Sequence, residues 1–346
     1  MKVLLYQGGK RIVAKSGVGR ALEHQARALE KAGIPYTVCP KDEYDIVQLN
    51  TVLPDSLLMS LRARLKKKAV VYYGHSTRED FRNSFPGSNL LSGLFGRWIA
   101  HCYGSADVII TPTPYSKGLL ESYPVKPRVI ALSNGIDLKA FHRSEEGGRR
   151  FRAAYGLEPS DKVVIGVGHY MERKGILDFI RMAGRFPAYQ FIWFGYTPDI
   201  LVTGKVRRAM AKSPANLRFP GYVDKERLMD AYSGSDLFFF PTLEETEGIV
   251  MLEAMAMEVP VLVRDIKVYE GWLRDGKEVY KGKSLEEFAV LLPGILEGRL
   301  ADLTLEAYRA VHKNSIGTVG ETLAGIYEGL VEKEAVYEGL NYKRLG

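Results

Sequence analysis

The sequence predicts an α/β protein made of two Rossmann-like halves. Short apolar runs of strand length recur along the chain, each followed by a stretch with helical apolar spacing. The runs are largely apolar throughout rather than alternating, as parallel strands covered on both faces should be. The chain has 346 residues and a 46% hydrophobic composition, a length that favours two domains over one.

In the first half, Val3–Tyr6, Tyr36–Val38, Ile46–Leu49, AVVYYGH, SADVIITPT and RVIALSNGI read as strands. Arg20–Ala32 and Leu57–Lys68 read as helices. Residues 143–160 are charged and glycine-containing, so the change of domain is placed there, giving a first domain of 1–150. The second domain, 151–318, repeats the pattern with KVVIGVGHY, QFIWFGY, NLRFPGYV, DLFFFPT and VPVLVRD as strands. Helices fall between them: from Gly175, near 202–213, from Lys225, and over 248–257. Two such halves are expected to face a cleft. The segment 319–346 is helical in pattern and could stay on the second domain or cross back to the first.

The formal net charge of +7 suits nucleotide phosphates, an anionic membrane surface or nucleic acid. The bases concentrate at Arg62, Arg64, Lys66, Lys67 and Lys68, beside apolar residues rather than aromatic stacking platforms. No recognisable reader motif accompanies them, which argues against nucleic acid. Cys39 and Cys102 sit in apolar surroundings and read as two buried small residues without a disulfide. No Cys/His spacing resembles a zinc site. The opening MKVLLYQGG is a first strand rather than a signal peptide, and no run reaches the roughly 18 apolar residues of a membrane span. A cytoplasmic protein, soluble or peripheral on the membrane, is expected.

Four segments carry candidate chemistry. Glu245-Thr246-Glu247-Gly248-Ile249-Val250-Met251-Leu252-Glu253 follows the strand DLFFFPT and opens an apolar helix. A helix N-terminus at the carboxyl edge of a parallel sheet suits a polar ligand, and Gly248 would let the amides there approach it. The carboxylates of Glu245 and Glu253 can accept from sugar or ribose hydroxyls, or serve as ordinary acidic caps. Gly168-His169-Tyr170-Met171-Glu172-Arg173-Lys174-Gly175 follows another strand. Its adjacent cations can neutralise a diphosphate and its departing charge, or form a solvated turn. SGVGR places Gly17, Val18 and Gly19 before a helix, with spacing unlike the dinucleotide fingerprint. His75 ends a strand in YYGHSTREDFR, where it can hydrogen-bond a ligand or pack locally.

These segments resemble the retaining GT-B glycosyltransferases of family four. That family carries two glutamates separated by seven residues, as Glu245 and Glu253 are here, continued by EAMA. The resemblance implies that Glu245 contacts the donor sugar and Glu253 the ribose, with Gly248, Ile249 and Val250 offering backbone contacts. Arg173 and Lys174 would hold the diphosphate; the family usually has an arginine where this chain has His169. Gly17, Val18 and Gly19 would approach the phosphates, and His75 would position the sugar. Arg78 and Asp80 are candidate acceptor contacts. Tyr222 lies near the position that backs the nucleotide base, where stacking and core packing are equally open, and NGID at 134–137 is a structural turn.

MKVLLY, KSGVGRALEHQARAL, GHSTREDFRNSFPGSNLL, ITPTPYSKGLLESY, ERKGILDFI and EETEGIVMLEAMA are similar to one branch, bacterial synthases that extend monoglycosyl-diacylglycerol. The branch implies transfer of glucose or galactose from a UDP-sugar to a membrane glycolipid such as monoglucosyl-diacylglycerol. A soluble or polysaccharide-precursor acceptor is the alternative. The donor is the only small molecule needed: no cofactor is expected, and with no Asp-x-Asp pair no metal. The basic segment 62–68, with Leu90, Leu91, Leu94, Phe95 and Trp98, could face an anionic bilayer, or both stretches could be core-packed helices.

Overall fold

The computed structural model describes residues 1–9 and 16–342, with side-chain surroundings described through residue 332. The first strands and helices are β1 (Val3–Tyr6), α1 (Gly17–Lys31), β2 (Tyr36–Thr37), β3 (Ile46–Leu49), α2 (Pro54–Leu65), β4 (Ala69–Tyr73), α3 (Arg78–Phe81) and α4 (Ser88–Gly104). Then come β5 (Val108–Thr111), α5 (Pro114–Glu121), β6 (Arg128–Ala131), α6 (Glu145–Ala154), β7 (Val163–Val167), α7 (Ile176–Arg185), β8 (Gln190–Phe194) and α8 (Gly204–Ala211). The chain continues through β9 (Leu217–Gly221), α9 (Lys225–Gly234), β10 (Leu237–Phe240), α10 (Ile249–Ala256), β11 (Val261–Arg264), β12 (Tyr280–Gly282), α11 (Leu285–Leu296), α12 (Thr304–His312) and α13 (Ile316–Tyr342).

The chain divides into two compact units. One comprises Met1–Arg78, Gly93–Gly135 and the chain from Asn314; the other comprises Glu79–Ser92 and Ile136–Lys313. These units divide at 135/136 and 313/314, near the domain limits of 150 and 318 read from the sequence, and Glu79–Ser92 groups with the second unit. The charged stretch taken as the junction is helix α6, packed on α9. A Cβ on Gly148 would lie 2.9 Å from the Ser233 carbonyl oxygen. Arg150 pairs with Asp230 at 2.8 Å and Arg152 with Asp236 at 2.9 Å. Gly148 thus permits the close approach of the two helices.

The first unit holds a parallel sheet in the order β2-β1-β3-β4-β5-β6. Its strands alternate between two apolar layers, as period-two side chains must. Val47, Leu49, Val70 and Tyr72 share one layer with Met59, Ile99 and Tyr103. Ile46, Ala69, Val71 and Tyr73 share the other with Ala28 and Leu29 of α1 and Val319, Leu323 and Tyr327 of α13. The C-terminal helix thus lies on the first unit, close enough to α1 that a Cβ on Gly320 would sit 2.4 Å from the Ala28 carbonyl oxygen.

The second unit holds a parallel sheet in the order β12-β11-β10-β7-β8-β9. Strand β12, helices α5, α6, α11 and α12 and the short α3 are additional to the sequence reading. The direction of chain progression reverses between β7 and β10, which are neighbours. Loops leaving the carboxyl ends of two such strands diverge and open a crevice, the usual ligand position in open α/β sheets.

Candidate functional site

The segments following β7 and β10 meet at this switch point. After β7 the chain forms a 3-10 turn at Glu172–Lys174 and then Gly175, with φ +76°, which precedes α7. A Cβ on Gly175 would lie 2.1 Å from the Pro241 carbonyl oxygen. Glycine satisfies both the left-handed backbone and this contact. The result sets Arg173 and Lys174 against Thr242–Glu245: the Leu243 amide donates to the Arg173 carbonyl at 2.7 Å.

Each of the two cations is already paired. Lys174 Nζ donates to Glu245 Oε1 at 2.5 Å, and the Thr242 hydroxyl donates to the same oxygen at 3.1 Å. Among the described residues no partner meets Glu245 Oε2, so this oxygen is the site's open acceptor. Arg173 contacts Asp80 Oδ1 at 2.6 Å. It also donates from Nε to the Ser84 hydroxyl and from Nη1 to the Glu244 carbonyl, both at 3.0 Å. Asp80, expected to reach an acceptor, is the half-buried counter-ion of Arg173. Burial drives the electrostatics here: it lowers the Lys174 pKa against the pull of Glu245 and raises that of Asp80 against Arg173 and Lys174. Paired charges of this kind are pre-positioned, and an incoming diphosphate would compete with Glu245 for Lys174.

His169 does not replace an arginine's charge. Burial lowers its pKa, opposed by the bond of Nδ1 to the Tyr196 carbonyl at 2.6 Å and assisted by Lys174 and Arg173. The ring is neutral near pH 7, leaving the positive charge to Arg173 and Lys174.

Gly248 has φ +91° and precedes α10 without a capping side chain, so among the described residues no side chain caps the first turn that holds the Ile249 and Val250 amides. Glu253, on the same helix, is fully buried, and the Tyr232 hydroxyl donates to its Oε2 at 3.2 Å. Tyr222 follows β9 and is 47% exposed, which removes the core-packing reading. Tyr269 is buried and its hydroxyl meets no partner among the described residues; an ideal Cβ on Gly248 would lie 3.7 Å from it. The sequence reading missed Ser84, Thr242, Tyr232 and Tyr269; Ser84 lies in the quoted segment REDFRNSF, where a serine among charged residues gives no signal of its own.

In the first unit, His75 follows β4 and is buried, stacked on Tyr73. Its Nε2 lies 2.9 Å from Asn50 Oδ1 and 3.4 Å from Gln25 Nε2. Burial pushes its pKa down to about 4. Gly17, Val18 and Gly19 form the first turn of α1, not a loop before it, because Ser16 already occupies the N-cap position. Lys15, quoted for the family resemblance, lies outside the described residues.

Helix α2 inverts the usual pattern. It buries Ser56, Met59, Ser60 and Ala63 while exposing Leu58, Leu61 and Leu65. On α4, Leu90, Leu91 and Leu94 are exposed, but Phe95 and Trp98 pack on the core and the Trp98 indole donates to the Val52 carbonyl at 2.6 Å. These two aromatics are half-buried, with part of each ring packed on the core. Cys102 is buried as expected; Cys39 is exposed, since its strand ends at Thr37. No described helix is long and apolar enough to cross a membrane.

Two family models match the chain: "Glycosyltransferase Family 4" over residues 38–140 and "Glycosyl transferases group 1" over residues 149–315. The chain is 44% identical over 333 residues to a processive diacylglycerol alpha-glucosyltransferase of Acholeplasma laidlawii, covering 96% of this chain and 99% of that protein. It is 27% identical to the alpha-galactosylglucosyldiacylglycerol synthase of Streptococcus pneumoniae, covering 81% and 76%. Among solved structures, Anabaena Alr3699/HepE in complex with UDP and glucose aligns with a TM-score of 0.77 at 17% identity, covering 95% of this chain and all (100%) of that one. Sucrose-phosphate synthase from Thermosynechococcus elongatus aligns with a TM-score of 0.71 at 18% identity, covering 84% and 74%.

Proposed function

Because this chain belongs to the group 1 and family 4 glycosyltransferases, we propose that it moves glucose or galactose from a UDP-sugar to a diacylglycerol-based membrane lipid, with retention of anomeric configuration. The observation that carries the reading is the Lys174–Glu245 pair at the switch point of the second sheet. Support for the acceptor class comes from the relative that is 44% identical over almost its whole length and acts, by name, on diacylglycerol. Monoglucosyl-diacylglycerol is the acceptor favoured by the first-domain motifs, and diacylglycerol itself is the second to test.

In this mechanism the acceptor hydroxyl attacks the anomeric carbon from the face that UDP leaves. The bond between that carbon and the phosphate oxygen breaks, and the departing phosphate takes the hydroxyl proton. Lys174 turns from Glu245 toward the diphosphate and, with Arg173, stabilises its growing charge. Glu245 accepts from a sugar hydroxyl through Oε2, and Glu253 is assigned to the ribose. The Ile249 and Val250 amides are assigned to the phosphates and Tyr222 to the base; by the family resemblance Gly17, Val18 and Gly19 are assigned to the phosphates and His75 to the sugar. Two cationic side chains and a helix N-terminus supply the charge that a divalent ion would otherwise bring, so transfer is expected to continue undiminished in excess EDTA.

The exposed leucines of α2, set among Arg62, Arg64 and Lys66–Lys68, are read as the contact with an anionic bilayer. This makes the enzyme peripheral on the inner face of the cell membrane. The deciding experiment incubates the enzyme with UDP-glucose, UDP-galactose or GDP-mannose and vesicles carrying either lipid acceptor, and determines the product linkage. An α-linked product from a UDP-sugar supports the reading. Transfer only to soluble glycans, with both lipids untouched, would replace it with the soluble-acceptor alternative.

A further inference from the structure

A continuous line of buried polar groups crosses the apolar layer between the first sheet, α1 and α13. The Tyr327 hydroxyl of α13 donates to Gln48 Oε1 of β3 at 2.5 Å. Gln48 Nε2 donates to Gln25 Oε1 of α1 at 2.6 Å. Gln25 Nε2 then faces His75 Nε2 at 3.4 Å, while the same ring nitrogen lies 2.9 Å from Asn50 Oδ1. Tyr327 and Gln48 are 0% exposed, Gln25 1% and Asn50 3%.

Packing does not account for this line. Gln48 stands in an otherwise apolar strand, IVQL, on the side of the sheet lined by Ile46 and Val71. Burying two primary amides and a phenol costs free energy that their mutual bonds only offset, and apolar residues of similar size would fill the layer at least as well. The arrangement is also directional: each donor points toward the histidine, so the line ends in an N–H group against the ring. Asn50 Oδ1, the nearer neighbour of Nε2 at 2.9 Å, takes the ring's N–H and so fixes which nitrogen carries the hydrogen. With that hydrogen directed at Asn50, Nε2 has no lone pair for Gln25, whose amide at 3.4 Å is a packing contact that limits the tilt of the ring.

We infer that Tyr327 is a positioning residue for His75, acting through Gln48 and Gln25, so that docking of the C-terminal helix sets the orientation of a histidine at the far end of the line. The functional part of this inference rests on the reading of His75 as a sugar-orienting group. Removing the Tyr327 hydroxyl frees the Gln48 amide to turn, the Gln25 amide follows, and the ring loses one of its two fixed neighbours. The chain stays folded, because Tyr327→Phe keeps the ring that packs with Leu323 and Val319.

The test compares wild type, Tyr327→Phe, Gln25→Met and His75→Asn by two readouts. The first is the nitrogen-15 spectrum of the His75 ring, which reports the position of its hydrogen without reference to activity. The second is hexosyl transfer from a UDP-sugar to diacylglycerol vesicles. Both Tyr327→Phe and Gln25→Met are expected to move the His75 ring signals. Both should lower kcat by about tenfold through loss of alignment, with KM for the donor within about twofold of wild type. If both variants leave the ring signals unchanged, the line does not position His75 and the inference is wrong, whatever the activity. If the signals move but His75→Asn transfers at the wild-type rate, the reading of His75 as a sugar contact fails, and with it Tyr327's part in the reaction.

Discussion

At the scale of the residue, the site is a set of charges that neutralise one another before any substrate arrives. Lys174 holds Glu245 through one carboxylate oxygen and leaves the other open. Glu245→Gln keeps the shape but weakens both that pair and the proposed sugar contact. Its kcat should fall about 100-fold with the thermal midpoint little changed, as loss of a preorganised polar contact does. Unchanged turnover in a folded Glu245→Gln protein would remove the residue from the mechanism. His75 yields a stability prediction. Its folded pKa of about 4 lies below the ordinary 6.5, so between those values the unfolded chain binds a proton that the folded chain does not. Stability therefore falls as pH drops below 6.5, and the loss is complete below about 4. A shift of one unit corresponds to roughly 1.4 kcal/mol, so urea unfolding should show wild type losing about 2 kcal/mol more than His75→Gln between pH 7 and pH 5. Equal losses in the two proteins would contradict a depressed His75.

At the scale of the element, the candidate site depends on the backbone of two loops. Gly175→Ala forces a side chain into a left-handed position and against the Pro241 carbonyl oxygen. About 2–4 kcal/mol of stability should be lost, read by denaturant midpoint, together with activity because Lys174 precedes Gly175 directly. Both loops were legible in the sequence, since each follows an uninterrupted apolar strand and its charged residues are contiguous. The ion pair of Arg173 with Asp80 was not: the partners are far apart in sequence, and Asp80 lies in a four-residue helix without an apolar stripe. Helix α6 was not legible because Gly147 and Gly148, which allow contact with α9, lower helical propensity in a charged stretch without an apolar run. Gly17–Gly19 were misplaced for a related reason, since glycine normally argues against a helical turn and here two occupy the first turn of α1. Tyr232 and Tyr269 gave no local signal: an aromatic residue near an apolar run reads as core until its hydroxyl's surroundings are known.

At the scale of the whole molecule, the fold was legible because parallel strands announce themselves as short apolar runs, and two series of them gave two six-stranded sheets. The excursion of Glu79–Ser92 was not, since the chain leaves the first unit at Arg78 and re-enters at Gly93. Such excursions depend on tertiary packing and leave no compositional shift. The proposed membrane contact is tested at this scale. Leu58, Leu61 and Leu65 project from α2 while its small residues face inward, so replacing all three with Ser should weaken binding to anionic vesicles about tenfold or more without lowering the thermal midpoint. Vesicle sedimentation unaffected by the triple change would place the membrane contact elsewhere. The central claim, transfer from a UDP-sugar to a diacylglycerol lipid through Glu245 and Lys174, is tested most directly by one measurement. Wild type, Glu245→Gln and Lys174→Ala are each given radiolabelled UDP-glucose or UDP-galactose with vesicles containing monoglucosyl-diacylglycerol or diacylglycerol, in EDTA, and labelled lipid is counted. The account predicts α-linked labelled glycolipid from wild type and a loss of about 100-fold in both variants; no labelled lipid from the wild-type enzyme, or equal amounts from all three proteins, would contradict it.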